Sequence, residues 1–223
     1  MSKTFRMDYG ALPSHLPLFP LPNCAVMPGS QLPLNVFEPR YVNLVLDALG
    51  SDRMIGMVQS MPEGASTGES AAVFLTGTAG RISSFAETGD GRLLIALTGV
   101  CRFDILEESL TARGYRRALV DWGRFAVDYQ EQQEPDQAER SMFFHLLRTF
   151  FEQKSLDGDW SLMERMPLPM LVNLLISQLP FEAAERQSLV NAISLDERMQ
   201  LLRGHLAFDI ASGGSAGRSQ RAH

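Results

Sequence analysis

The chain has 223 residues, a formal charge of −6, 45% apolar residues and 21% charged ones. That is enough apolar content for one large domain or two small ones, each with its own core. Acidic groups outnumber basic ones both in residues 1–128 and in 129–223, so neither half has the overall charge to track a phosphate backbone. Only two cysteines are present, Cys24 and Cys101, and neither belongs to a CxxC pair. A disulfide framework is therefore excluded and a reducing compartment expected. The opening MSKTFRMDYG has no apolar core of the signal-peptide kind, and no apolar run approaches the ~20 residues that cross a bilayer. The expectation is a cytoplasmic protein with no membrane association.

Residues 1–15 read as a flexible N-terminus. Leu16 to Pro22 (LPLFPLP) alternates apolar residues with prolines; because proline lacks the ladder donor, this piece suits an edge or bulged strand rather than a central one. Ala25–Met27 and Gln31–Phe37 read as short strands around a Pro28-Gly29 turn. A helix is predicted over Pro39–Leu49, with proline at its first position and Glu38 beside the positive end of its dipole. Val42, Val45, Leu46 and Leu49 recur at helical spacing, and Gly50 stands at the C-cap position.

Arg53–Gln59 reads as a buried strand, and residues 61–70 as a loop by their Pro, Gly, Ser and Thr content. Val73–Phe85 and Arg92–Leu106 are two long strands joined by a Glu87-Thr88-Gly89-Asp90-Gly91 turn. On the second, Leu93, Ile95, Leu97, Gly99, Cys101, Phe103 and Ile105 share one parity and so one core face. Gly77, Gly80 and Gly99 interrupt these strands at places where a coiling sheet bends, which favours a closed or half-closed barrel. Tyr115–Trp122 is a further strand.

The acidic, Gln-rich stretch 128–137 marks a change of character. Beyond it the pattern is helical, from the stripe Met142, Phe143, Leu146, Leu147, Phe150 and Phe151 to the capping box Ser194-Leu195-Asp196-Glu197. The fold class is α+β: a β-barrel domain with one helix over 16–127, a helical bundle over 128–210, and a disordered tail over 211–223.

No phosphate-binding loop or HExxH motif is present. The histidines His15, His145, His205 and His223 are scattered, so neither a metal nor another cofactor is expected. Cys101 lies on the core parity of a strand and reads as a small hydrophobe. Catalytic residues: none expected.

The segment Leu32-Pro33-Leu34-Asn35-Val36-Phe37-Glu38-Pro39-Arg40-Tyr41 resembles the signature of the Lon protease N-terminal, substrate-binding domain family. Gly77-Thr78-Ala79-Gly80-Arg81-Ile82 and Leu97-Thr98-Gly99-Val100-Cys101-Arg102-Phe103 are similar to later strands of that family, and Glu185-Arg186-Gln187 to a helical element. The resemblance runs over about residues 16–205. It implies a PUA-like barrel followed by a helical bundle, and a non-catalytic role in recognising polypeptide substrates, acting alone or with a cellular protease, as in stand-alone bacterial members without the ATPase and protease domains. The residues of these motifs expected at a binding surface or at the helix–barrel junction are Phe37, Glu38, Arg40, Tyr41, Arg81 and Arg102. Phe37 is expected to plug the barrel end against the first helix. Glu38 and Arg40 are expected to pair with nearby backbone or with Arg81 and Arg102.

Two other readings stand beside this one. RNA binding by a PUA-like barrel is disfavoured by the acidic balance, and the basic cluster Arg113, Arg116 and Arg117 is offset by Glu107, Glu108 and Asp121. A hydrolase using Cys24 or Ser60 lacks any recognisable partner base in the sequence. Oligomeric state is open.

Overall fold

The structure, a computed structural model, describes residues 7–61 and 72–219, with side chains to residue 213. Most of the loop predicted over 61–70, the first six residues and residues 220–223 lie outside it. Six strands form one sheet: β1 (His15–Leu21), β2 (Gln31–Val36), β3 (Met54–Gln59), β4 (Thr76–Glu87), β5 (Leu93–Leu110) and β6 (Arg116–Asp121). Helix α1 (Pro39–Leu49) lies between β2 and β3; α2 (Gln137–Lys154), α3 (Trp160–Arg165), α4 (Leu168–Gln178), α5 (Ala183–Asn191) and α6 (Leu195–Ser219) follow the sheet.

The strand order is β2-β5-β4-β3-β1-β6, and β6 pairs back onto β5. Five strands therefore close a hydrogen-bonded ring, with β2 attached to the first half of β5. The 18-residue β5 makes this closure feasible. Residues Leu93–Thr98 take β2, and Asp104–Leu110 take β6. Between these stretches Gly99 is forced by contact: a Cβ there would sit 2.1 Å from the Met27 carbonyl oxygen.

The expected parity holds. Leu93, Ile95, Leu97, Cys101, Phe103 and Ile105 are all buried, and β3 is buried along its whole length. One apolar cluster joins Phe19, Val36, Ile55, Ile82, Leu93 and Ile95 to Leu44, Val45 and Ala48 of α1. A second gathers Leu16, Leu18, Val58, Phe103, Ala118 and Val120. Gly50 is the C-cap residue of α1, as expected, with φ −78; the left-handed residue is Arg53 at φ 58, whose N–H bonds Ala48 O at 2.9 Å.

β1 is not an edge strand, because β3 and β6 flank it. Yet β6 pairs only His15–Leu18, and β3 only Leu18–Leu21. Pro17 and Pro20 each fall where just one neighbour is present, so neither missing N–H breaks a ladder on both sides. Residues 7–14, expected to be loose, are tied down by Tyr129 Oη donating to Met7 O at 2.9 Å and Trp122 Nε1 donating to Pro13 O at 3.1 Å.

By contact the chain divides into two compact units: residues 1–131 with 173–193, and residues 132–172 with 194–223. The segment 173–193, expected in the helical bundle, clusters with the sheet. Asn173 Nδ2 donates to Pro28 O at 2.9 Å, Ser177 Oγ accepts from Met27 N at 3.2 Å, and Gln187 Nε2 donates to Thr76 O at 3.0 Å. In the second unit α2 packs on α6, with ion pairs Arg203–Glu139 (3.0 Å) and Lys154–Asp209 (3.3 Å) on the rim. Phe143, Leu147, Phe150, Met199, Leu202 and Leu206 are buried, whereas Met142, part of the predicted stripe, stays 63% exposed. Ser194 Oγ caps α6 by accepting from Glu197 N at 3.1 Å. That helix runs on to Ser219, through most of the tail expected to be disordered.

Candidate functional site

The residues of the LPLNVFEPRY segment meet at the junction of β2 and α1. Val36 pairs with Leu93 and turns inward, only 2% exposed. Strand alternation then sends the next residue outward, so Phe37 does not plug the barrel: it is 64% exposed. The plug consists of Val36 with the α1 residues Leu44, Val45 and Ala48. Glu38 is the N-cap residue of α1 but makes no side-chain cap bond. It pairs instead with Arg40, whose Nε and Nη2 lie 3.0 and 2.8 Å from Oε2. Both side chains are about half exposed, which limits such a pair to ~0–1 kcal/mol.

Tyr41 stacks on Phe19 with ring centroids 4.3 Å apart and 19° between planes, and the Arg40 guanidinium lies 4.7 Å from the Tyr41 centroid. Burial pushes the Tyr41 phenol above its ordinary value; Glu38 adds to this, and Arg40 and Arg116 oppose it. The hydroxyl makes no hydrogen bond among the described residues.

Around this stack lies a cleft of about 520 Å3. One wall is the β2–α1 junction, with Val36, Phe37, Glu38, Arg40 and Tyr41. The other comprises the end of β1 (Phe19 to Pro22), Ser60 just after β3, and the β5–β6 hairpin, with Leu110, Gly114, Tyr115 and Arg116. Phe37 and Leu110, 64% and 72% exposed, bring apolar surface to the rim from the two walls. The walls are fastened together: Tyr115 Oη donates to Asp47 Oδ2 at 2.7 Å, Arg113 Nη1 pairs with Asp47, and Arg113 Nη2 donates to Asn43 Oδ1 at 2.7 Å. Gly114, at φ 86, lets the hairpin turn against the stem of Arg40.

Arg81 and Arg102 are not among the cleft residues. Arg81 stands on β4 opposite Met54 and Thr98. Arg102 is wholly buried and bonds neither Glu38 nor Arg40. Its Nε and Nη2 fork onto Asp128 at 3.0 and 2.7 Å, and its backbone N–H reaches Asp128 Oδ2 at 3.0 Å. The remaining donors reach the carbonyls of Val190 (3.0 Å), Ala192 and Ile193 (3.1 Å). Phe125 covers the guanidinium at 4.4 Å. A charge so enclosed is tolerated because it is paired and surrounded by acceptors, so this arginine fastens the end of α5 to the barrel.

Sequence reasoning missed the second wall: Phe19, Pro20, Leu110 and Gly114 belong to segments far apart in the chain. The prolines of β1 were the one available signal. Arg113 and Arg116 were noticed only as a basic cluster; Arg113 is tied to Asp47, and Arg116 Nη1 lies 3.3 Å from Glu108. Among the described residues no histidine lines the cleft. Burial pushes the Cys24 thiol up, with Arg186 opposing, which keeps the thiol in its protonated, unreactive form at neutral pH. Cys101 is fully buried. Among the described residues no three His, Cys, Asp or Glu side chains converge to hold a metal, and no helix is long and apolar enough to cross a membrane.

Comparison with known proteins agrees with this architecture. Residues 15–207 match the family model of the ATP-dependent protease La (LON) substrate-binding domain. Lon protease 2 of Myxococcus xanthus is 26% identical over 197 residues, which are 86% of this chain and 23% of that protein. The chain thus spans about a quarter of the length of such relatives, at their N-terminal part. A Lon N-terminal domain protein from Xanthomonas campestris superposes with a TM-score of 0.60 at 24% identity, covering 86% of this chain and 97% of that one. The N-terminal domain of the Mycobacterium avium complex Lon protease gives 0.62 at 13% identity, covering 86% and 98%. The chain belongs to the LON substrate-binding domain family.

Proposed function

We propose that this chain is a recognition module for unfolded or otherwise exposed polypeptide, binding in the cleft between the β2–α1 junction and the β5–β6 hairpin and breaking no bonds itself. The observation that carries this reading is the cleft: an aromatic floor, two exposed apolar side chains at its rim and walls held in place before any ligand arrives. Preformed apolar concavities with a few polar groups are the usual form of binding sites, and walls already fastened lower the ordering cost of capture. Family membership adds the class of ligand. A cytoplasmic adaptor that hands its cargo to a protease fits both. RNA binding is disfavoured, since Arg113 and Arg116 beside the cleft are engaged with carboxylates and the chain is acidic overall.

The test is fluorescence anisotropy with a labelled, permanently unfolded casein-type chain. The expected result is saturable binding that weakens at least tenfold when Phe37→Glu and Leu110→Glu are combined. Equal binding by the double variant would remove the cleft from consideration. Turnover of a peptide or ester by the pure protein, abolished by one side-chain replacement, would overturn the non-catalytic reading.

A further inference from the structure

We infer that the cleft holds its polypeptide by the backbone, as an extended segment lying along the free margin of β1, and that it selects segments bringing an amide N–H to the Pro20 carbonyl. This rests on the recognition reading above and adds its chemistry.

The main-chain direction of β1 follows from its pairings. Val120 N–H bonds Ser14 O at 2.9 Å, and Leu16 and Leu18 pair with Ala118 and Arg116. Residues 14, 16 and 18 therefore turn their backbone groups toward β6, and alternation gives residue 20 the same direction. β6 no longer accompanies the strand there: its last partner is Leu18. Residues 19 and 21 face β3 instead, along the parallel register Leu18↔Gly56 to Leu21↔Gln59. Pro20 thus turns a carbonyl to the cleft that it lines, with no N–H beside it.

A margin of that kind accepts without donating. A strand cannot add to it by a full ladder, and the protein is guarded against zipping onto itself there. An extended segment can still place one N–H on the Pro20 oxygen. Across the cleft, Tyr41 supplies the complementary group: its ring is held by Phe19 and Arg40, and its hydroxyl is available to donate to a carbonyl of the same segment. Phe37 and Leu110 then flank an apolar side chain of the bound segment. The occupant is an extended apolar or aromatic stretch of unfolded polypeptide, without proline at the anchoring position. Such a site reads backbone availability, which any unfolded chain offers and a folded one hides.

The test uses a fluorescein-labelled Ser-Leu-Ser-Phe-Ser-Leu-Ser peptide and a set in which each amide in turn is N-methylated, titrated into the full chain. One or two positions are expected to weaken binding by about threefold to tenfold, the worth of one hydrogen bond, with the rest near the parent. Tyr41→Phe, which keeps the stacked ring, is expected to lose a similar factor. A uniform response along the peptide, or unchanged affinity in Tyr41→Phe, overturns the inference while leaving polypeptide recognition intact. Binding of the casein-type chain without binding of the short peptide overturns it too. If neither binds, the recognition reading falls first. Concentration-dependent self-association that competes with the peptide would assign the margin to a second copy, against the inference.

Discussion

Two arginines from the family-like motifs end in opposite circumstances. Arg102 is fully buried, forked onto Asp128 and surrounded by carbonyls of the segment 190–193. Arg40 is half exposed, shares one carboxylate oxygen of Glu38 and lies over Tyr41 at the lip of an open cleft. The sequence pattern around each invites the same reading, an arginine at a recognisable motif. Their surroundings separate them: a saturated, dry guanidinium holds the fold, and one with hydration and donors to spare is free to meet something else.

The contrast is tested most severely at Arg102. Arg102→Met strands Asp128 in the interior, and a loss of about 3–5 kcal/mol in unfolding free energy is expected by denaturant titration. An effect below about 1 kcal/mol would make the two arginines equivalent and undo the comparison. Gly99→Ala comes next, because its Cβ meets the Met27 carbonyl. Overpacking against backbone is expected to cost about 1–3 kcal/mol, read as a lowered denaturation midpoint. At the cleft, Glu38→Gln removes only an exposed pair, and stability is expected to stay within ~1 kcal/mol. Finest of all is the thiol of Cys24. Its upward shift from burial leaves it protonated at pH 7, so alkylation by iodoacetamide is expected to run slower than for a free thiol and to speed up as pH rises. Rapid modification at neutral pH would reopen a reactive role.

The sequence was most legible where local pattern and packing coincide. The parity of β5, the proline-led start of α1 and the Ser194 cap all follow from rules acting within a few residues. The same rules failed where a neighbour arrives from far along the chain. LPLFPLP has the composition of an edge strand, yet β3 and β6 cover its two sides in turn, and each proline falls on the side left open. Residues 173–193 have ordinary helical spacing, and nothing local reveals that their polar groups are owed to Pro28, Thr76 and Arg102. Half of the candidate site was visible for the same reason: Phe37, Glu38, Arg40 and Tyr41 lie within five residues, while the opposing wall is assembled from three other segments. Even there the outward turn of Phe37 depended on Val36 taking the inward position opposite Leu93.

The discontinuity of the sheet-bearing unit has a consequence for how the chain comes into being. As the polypeptide emerges from the ribosome, all six strands are available once residue 121 has appeared, but the carbonyls that complete the Arg102 knot belong to residues 190, 192 and 193. Residues 132–172 must be synthesised in between. Until then the nascent barrel carries a guanidinium with three of its five acceptors missing, so its final locking is a late event, and shortened forms ending near residue 131 inherit that unfinished state permanently.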